Sequence, residues 1–124
     1  MGDLQGKSAT LHEMAYIHTV RGDLDEAMRL YQESLRIKEG LGDLQGKSAT
    51  LAMMGQLLVE IGETEAALAA FLESLSILVQ LKAAPDANKV ASIIVGFKEE
   101  IGNKEFRQLW QRVTGKSELP AWLE

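Results

Sequence analysis

Gly2-Asp3-Leu4-Gln5-Gly6-Lys7-Ser8-Ala9-Thr10-Leu11 returns unchanged, 40 residues later, as Gly42-Asp43-Leu44-Gln45-Gly46-Lys47-Ser48-Ala49-Thr50-Leu51. Self-similarity at a fixed period of about 20–50 residues is the signature of a repeat architecture. Each unit of such a chain buries its apolar face mainly against its neighbours, and the extended surface that results is usually a binding surface.

Beyond the identical stretch, the two units agree at Met14/Met54, Gly22/Gly62, Ala27/Ala67, Glu33/Glu73, Ser34/Ser74, Leu35/Leu75, Ile37/Ile77 and Leu41/Leu81. Small and apolar residues at helical spacing are what interhelix packing preserves. Each unit therefore reads as two helices. The first runs from about Gln5 to Arg21, with Leu11, Met14, Ala15 and His18 on one stripe. Gly22 breaks it, because glycine tolerates the left-handed conformation that ends helices. Asp23 then starts a second helix, with Glu26 three residues on completing a capping-box pattern. This helix runs to about Glu39 and is terminated by Gly40 and Gly42. The next pair is expected over about 46–61 and 64–81, and a degraded third pair over about 86–101 and 104–113. The expected units are 2–41, 42–81, a degenerate 82–115 acting as a C-terminal cap, and a tail, 116–124. The fold class is all-α, with about six helices in antiparallel pairs.

At this point the chain resembles the tetratricopeptide repeat family. The residues that carry the resemblance are Leu11, Met14-Ala15, Gly22, Ala27, Tyr31 and Ser34-Leu35 in the first unit. In the second they are Leu51, Met54-Gly55, Gly62, Ala67, Phe71 and Ser74-Leu75. In the third, Arg107 and Gln111 stand at the alanine and aromatic positions, so its second helix must pack through Phe106 and Trp110 instead. The 40-residue period is longer than the family's usual one, and the proline that often ends the second helix is missing. The resemblance implies a right-handed α-solenoid with a concave groove lined by the first helix of each pair. It implies protein or peptide binding without catalysis. Chaperone-binding relatives hold a terminal carboxylate with a lysine, arginine and asparagine cluster. The aligned groove positions here offer only Lys89 as a base.

Composition narrows the choice of partner. A net charge of −5 lacks the basic face that a general nucleic-acid binder needs. No apolar run is long enough to span a membrane. The absence of cysteine removes disulfides and thiolate zinc sites, and suits a reducing, cytoplasmic setting. Met1-Gly2 could open a myristoylation signal, but Gly2 recurs as Gly42, so the repeat accounts for it.

Two motifs point toward chemistry and fail on spacing. Gly42 to Ser48 imitates a phosphate-binding loop, but only three residues separate Gly42 from Gly46, and the stretch follows a helix rather than a strand. His12 and His18 imitate a zinc-protease helix, yet they are six apart and so lie on different faces. No enzyme, metal or cofactor is expected.

The expected groove contacts are His12, Tyr16 and Thr19 from the first unit, Ala52, Gln56 and Val59 from the second, and Lys89, Ser92, Gly96 and Glu99 from the third. Tyr16 leads, because rigid aromatics dominate binding hot spots. A second surface is expected on the back. Arg29, Gln32, Arg36, Lys38 and Glu39 of the first unit become Ala69, Leu72, Ser76, Leu78 and Val79 in the second. A helix apolar nearly all round must be covered, either by the Trp110–Trp122 segment or by another chain, including a homodimer partner. The leading reading is an interaction scaffold that self-associates through such faces. The alternative is a C-terminal repeat fragment of a larger regulatory or signalling protein, and the remote alternative is an enzyme.

Overall fold

The computed structural model describes residues 3–124, so Met1 and Gly2, with the Gly2–Gly42 equivalence and the myristoylation question, lie outside the described residues. Among the described residues there are six α-helices: α1 Leu4–Arg21, α2 Leu24–Leu41, α3 Leu44–Ile61, α4 Thr64–Gln80, α5 Ala84–Ile101 and α6 Asn103–Thr114. A single 3-10 turn, Ala121–Leu123, closes the chain. None of these helices is long and apolar enough to cross a membrane.

The period follows from the helix lengths. The first three helices have 18 residues each, and two-residue joints separate them, Gly22-Asp23 and Gly42-Asp43. Eighteen residues make about five whole turns, so each helix leaves its unit on the face by which it entered. At the Gly42 joint the glycine takes φ 71°, and the N–H groups of Gly42 and Asp43 close back on Glu39 and Lys38 carbonyls at 3.2 and 2.9 Å. Asp43 then opens α3, its carboxylate accepting the Gly46 N–H at 2.9 Å, as Asp3 does for Gly6. One residue stops a helix and the next starts another.

Several local expectations are corrected. Gly40 does not end α2, which runs through it to Leu41; only the left-handed Gly42 stops the helix. The capping box at Asp23 and Glu26 does not form. Asp23 makes no side-chain cap bond and lies 3.4 Å from His18 Nδ1, while Glu26 accepts from Arg29 Nε. Met14 is 42% exposed, because no helix among the described residues covers that face of α1. Lys38 is not an outward-facing residue either; it is 7% exposed, at the junction of α2 and α3.

Packing alternates within and between units. Leu11, Ala15, Ala27, Leu30 and Tyr31 close the first pair and continue into Met54 and Leu57 of the second. The Ser34 hydroxyl donates to the Ser8 carbonyl at 2.8 Å, and Ser74 donates to Ser48 at 2.7 Å, one buried bond repeated at the repeat spacing. A larger core joins α4, α5, α6 and the tail. Phe71, Phe97, Phe106 and Trp110 run through it with ring centroids 6.0, 6.1 and 6.1 Å apart. The third pair does pack through Phe106 and Trp110, at 0 and 7% exposure. Its α6 has only 12 residues. The tail folds back over it: Leu119 and Leu123 are buried, the Trp110 indole N–H donates to the Glu118 carbonyl at 3.1 Å, and Arg107 pairs with Glu124 at 3.2 Å.

Candidate interaction surface

The first helix of each pair, α1, α3 and α5, contributes to one face, and the second helices lie behind. Two clefts open on that face. The wider, of about 560 Å³, is bounded by Tyr16 and Thr19 of α1, by Met53, Gln56, Val59 and Glu60 of α3, and by Ile93, Gly96 and Glu100 of α5. Leu57, Phe71 and Phe97 form its floor. The narrower, of about 340 Å³, runs past His12, Gln45, Ser48, Ala52, Leu78, Asp86 and Lys89. Met53 and Ile93 line both, so the two clefts form one surface divided by a saddle.

The floor of the wider cleft depends on a missing side chain. Gly55 is buried on α3, and a Cβ there would stand 2.5 Å from Phe71 Cε1. Glycine therefore lets the Phe71 ring reach the cleft and meet Phe97 edge-on. Gly96 is the opposite case. A Cβ added there meets nothing within 4 Å, because the residue borders open space.

The expected groove residues divide between these clefts. Tyr16, Thr19, Gln56, Val59 and Gly96 line the wider one, and His12, Ala52 and Lys89 line the narrower. Ser92 and Glu99 line neither; the adjacent Ile93 and Glu100 stand there instead. The α5 helix starts 40 residues after α3 and presents the same face: Ile93, Gly96 and Glu100 are the equivalents of Met53, Gln56 and Glu60. Its joint is Lys82-Ala83, where an aspartate cap sets the start of α1 and α3. Sequence reasoning missed Met53, Glu60, Ile93 and Glu100. Their signal was spacing: Met53, Gln56 and Glu60 stand at i, i+3, i+7, as do Ile93, Gly96 and Glu100.

His12 carries a second layer. Lys38 Nζ donates to Thr50 Oγ1 at 2.8 Å, and the same oxygen lies 3.1 Å from His12 Nδ1. An ammonium can only donate, so Thr50 Oγ1 accepts from Lys38, and its remaining hydrogen-bonding capacity is shared with His12 Nδ1. Burial and then the neighbouring Lys38 charge lower the His12 pKa, with Glu13 opposing. Burial also lowers that of Lys38, with Asp43 opposing. Tyr31 braces the ring edge-on at 5.3 Å.

The apparent phosphate loop is occupied from within. Its helix N-terminus is capped by the Asp43 carboxylate, and its Lys47 pairs with Glu39 at 3.0 Å. His12 and His18 do not converge, and among the described residues no group of three or more His, Asp or Glu is placed to hold a metal.

Of the residues expected on the back, Leu78 faces the narrower cleft instead and is buried, Trp110 is buried and Leu72 half-buried, while Ala69, Val79 and Trp122 are exposed. Leu78 is covered in the core shared with Val90 of α5. Another apolar strip lies on α1, where Met14, Ile17 and Val20 are exposed.

A family model for the tetratricopeptide repeat matches residues 7–78, which is the span of α1 to α4 almost entire. No curated protein and no solved structure matches the chain significantly. The match covers more than half of the chain and coincides with its two best-formed helix pairs; the chain belongs to the tetratricopeptide repeat family.

Proposed function

We propose that this chain is a non-catalytic protein-interaction module whose concave face holds a segment of a partner polypeptide. Tetratricopeptide repeats generally mediate protein–protein contacts. The observation that carries the reading is the continuous surface made by the two clefts, with the exposed Tyr16 ring on its rim and apolar side chains on its floor. A concave, largely apolar site with few polar groups is the form that ligand sites take. In this reading Tyr16, Thr19, Gln56 and Val59 contact one part of the segment, and His12 and Lys89 another. Ser92 lies at the margin.

The test is selection of peptides from a random display library on the folded chain, followed by a counter-screen on Gly96→Leu. The added Cβ enters open space at the cleft wall, so the longer side chain projects into the cleft, and circular dichroism checks that the variant keeps its helices. Peptides lost with Gly96→Leu and weakened by Tyr16→Ala support the reading. Peptides indifferent to both changes, or no enrichment at all, refute it.

A second reading, self-association, is favoured by one comparison. Met54 and Leu57 of α3 are 9 and 1% exposed against α2, whereas their α1 equivalents Met14 and Ile17 are 42 and 49% exposed. The α1 strip has the composition of a helix–helix contact. Light scattering over a range of concentrations, with Ile17→Glu as control, decides it. A dimer mass that falls to the monomer in the variant is the supporting result.

A further inference from the structure

We propose that the wider cleft selects a segment in which a bulky apolar side chain is flanked by lysine or arginine. This rests on the reading that the concave face is the binding face, and it adds the chemistry of the partner.

The floor of Leu57, Phe71 and Phe97 asks for an apolar side chain, and the volume of about 560 Å³ lies in the range of sites that enclose a ligand. One end of the cleft is negative. Glu60 and Glu100 both line it, and each is the penultimate residue of its helix, α3 or α5. They therefore add to the negative pole that a helix presents at its C-terminus. Neither carboxylate belongs to an ion pair among the described residues. No lysine or arginine lines the wider cleft. Lys98, two residues from Glu100, donates to the Leu123 carbonyl, and Lys104 and Arg21 are exposed outside the lining.

The other cleft is mixed, with Lys89, Asp86 and His12. The surface is thus polarised along its length, so it fixes the direction of the segment as well as its composition. A cation at the Glu60–Glu100 end meets two carboxylates without competing with an internal base, while an acidic segment meets like charge. Complementarity of this kind raises association rates and rejects wrong partners.

The experiment sequences the peptides enriched on the full chain and titrates the best of them by fluorescence anisotropy at low and high salt. It repeats the titration with Glu60→Gln and Glu100→Gln, singly and together. The expected winners join Leu, Ile, Phe or Trp to Lys or Arg, and their affinity falls with salt. Each carboxylate removed weakens binding by up to roughly fivefold. Winners that are neutral or acidic, or that ignore the double variant, overturn the proposal. If such winners are still lost with Gly96→Leu, the concave-face reading stands and only the charge selection falls. If winners persist with Gly96→Leu, or none are enriched, the concave-face reading falls and the charge selection with it.

Discussion

Replacing Gly55 and Gly96 by alanine makes one chemical change in two surroundings, and the structure gives the two variants opposite signs. Both glycines lie inside helices, α3 and α5, so each alanine gains about 1 kcal/mol of helix propensity. At Gly96 nothing lies within 4 Å of the added carbon, and the gain is kept. The variant should unfold about 1 kcal/mol harder, with a midpoint raised by about 4 °C. At Gly55 the carbon lands 2.5 and 2.7 Å from two atoms of the Phe71 ring. That ring is 1% exposed and packed against Phe97, so it cannot swing aside freely. Overpacking a filled core costs about 1–3 kcal/mol, which cancels or exceeds the propensity gain. The difference between the variants isolates the overlap cost. Urea unfolding followed by far-ultraviolet circular dichroism measures both. If Gly55→Ala proves as stable as Gly96→Ala, the account of the cleft floor is wrong.

Three further outcomes are expected. Thr50→Val leaves the buried Lys38 ammonium without its acceptor and should cost about 1–3 kcal/mol, whereas Lys38→Met should be close to neutral; urea midpoints of both variants test the pair. The His12 pKa is lower folded than unfolded, so below about pH 6.5 the unfolded chain takes up a proton that the folded chain resists. Stability should therefore fall as the pH drops from 6.5 toward the lowered value, and His12→Gln should flatten that slope in denaturant titrations. Lys82 holds a left-handed φ of 56° where the second unit has Gly42, so Lys82→Gly should raise stability by about 0.5–1 kcal/mol in thermal melts.

The architecture was legible because its determinants are local. A left-handed glycine needs no distant partner to end a helix, and Gly22 recurs at the repeat spacing as Gly62. The expected groove positions on α1 line the clefts, while on α3 and α5 alike the lining extends to the neighbouring Met53, Glu60, Ile93 and Glu100 that the sequence reading left out. The 40-residue offset itself holds, since α1, α3 and α5 start at residues 4, 44 and 84; the slip lies in which face of the helix was assigned to the groove. The bond from Lys38 to Thr50 and the contact of His12 with the same hydroxyl join residues 12 and 38 apart, and periodicity carries no sign of them. Lys38 was read as an outer-face residue because lysine usually is; its burial depends on a hydroxyl from the next unit.

The five-turn helix also limits how such a chain can change. Deleting one codon within α1, α2 or α3 would swing everything downstream by about 100°, carrying buried side chains toward water. Duplicating a complete unit of 40 residues would keep every helix in phase and add only one more repeat's rotation. Growth and shrinkage by whole units are therefore the quiet mutations, and small insertions or deletions inside these helices are the damaging ones. Such an array changes length in steps, and each step adds or removes one stave of its concave wall.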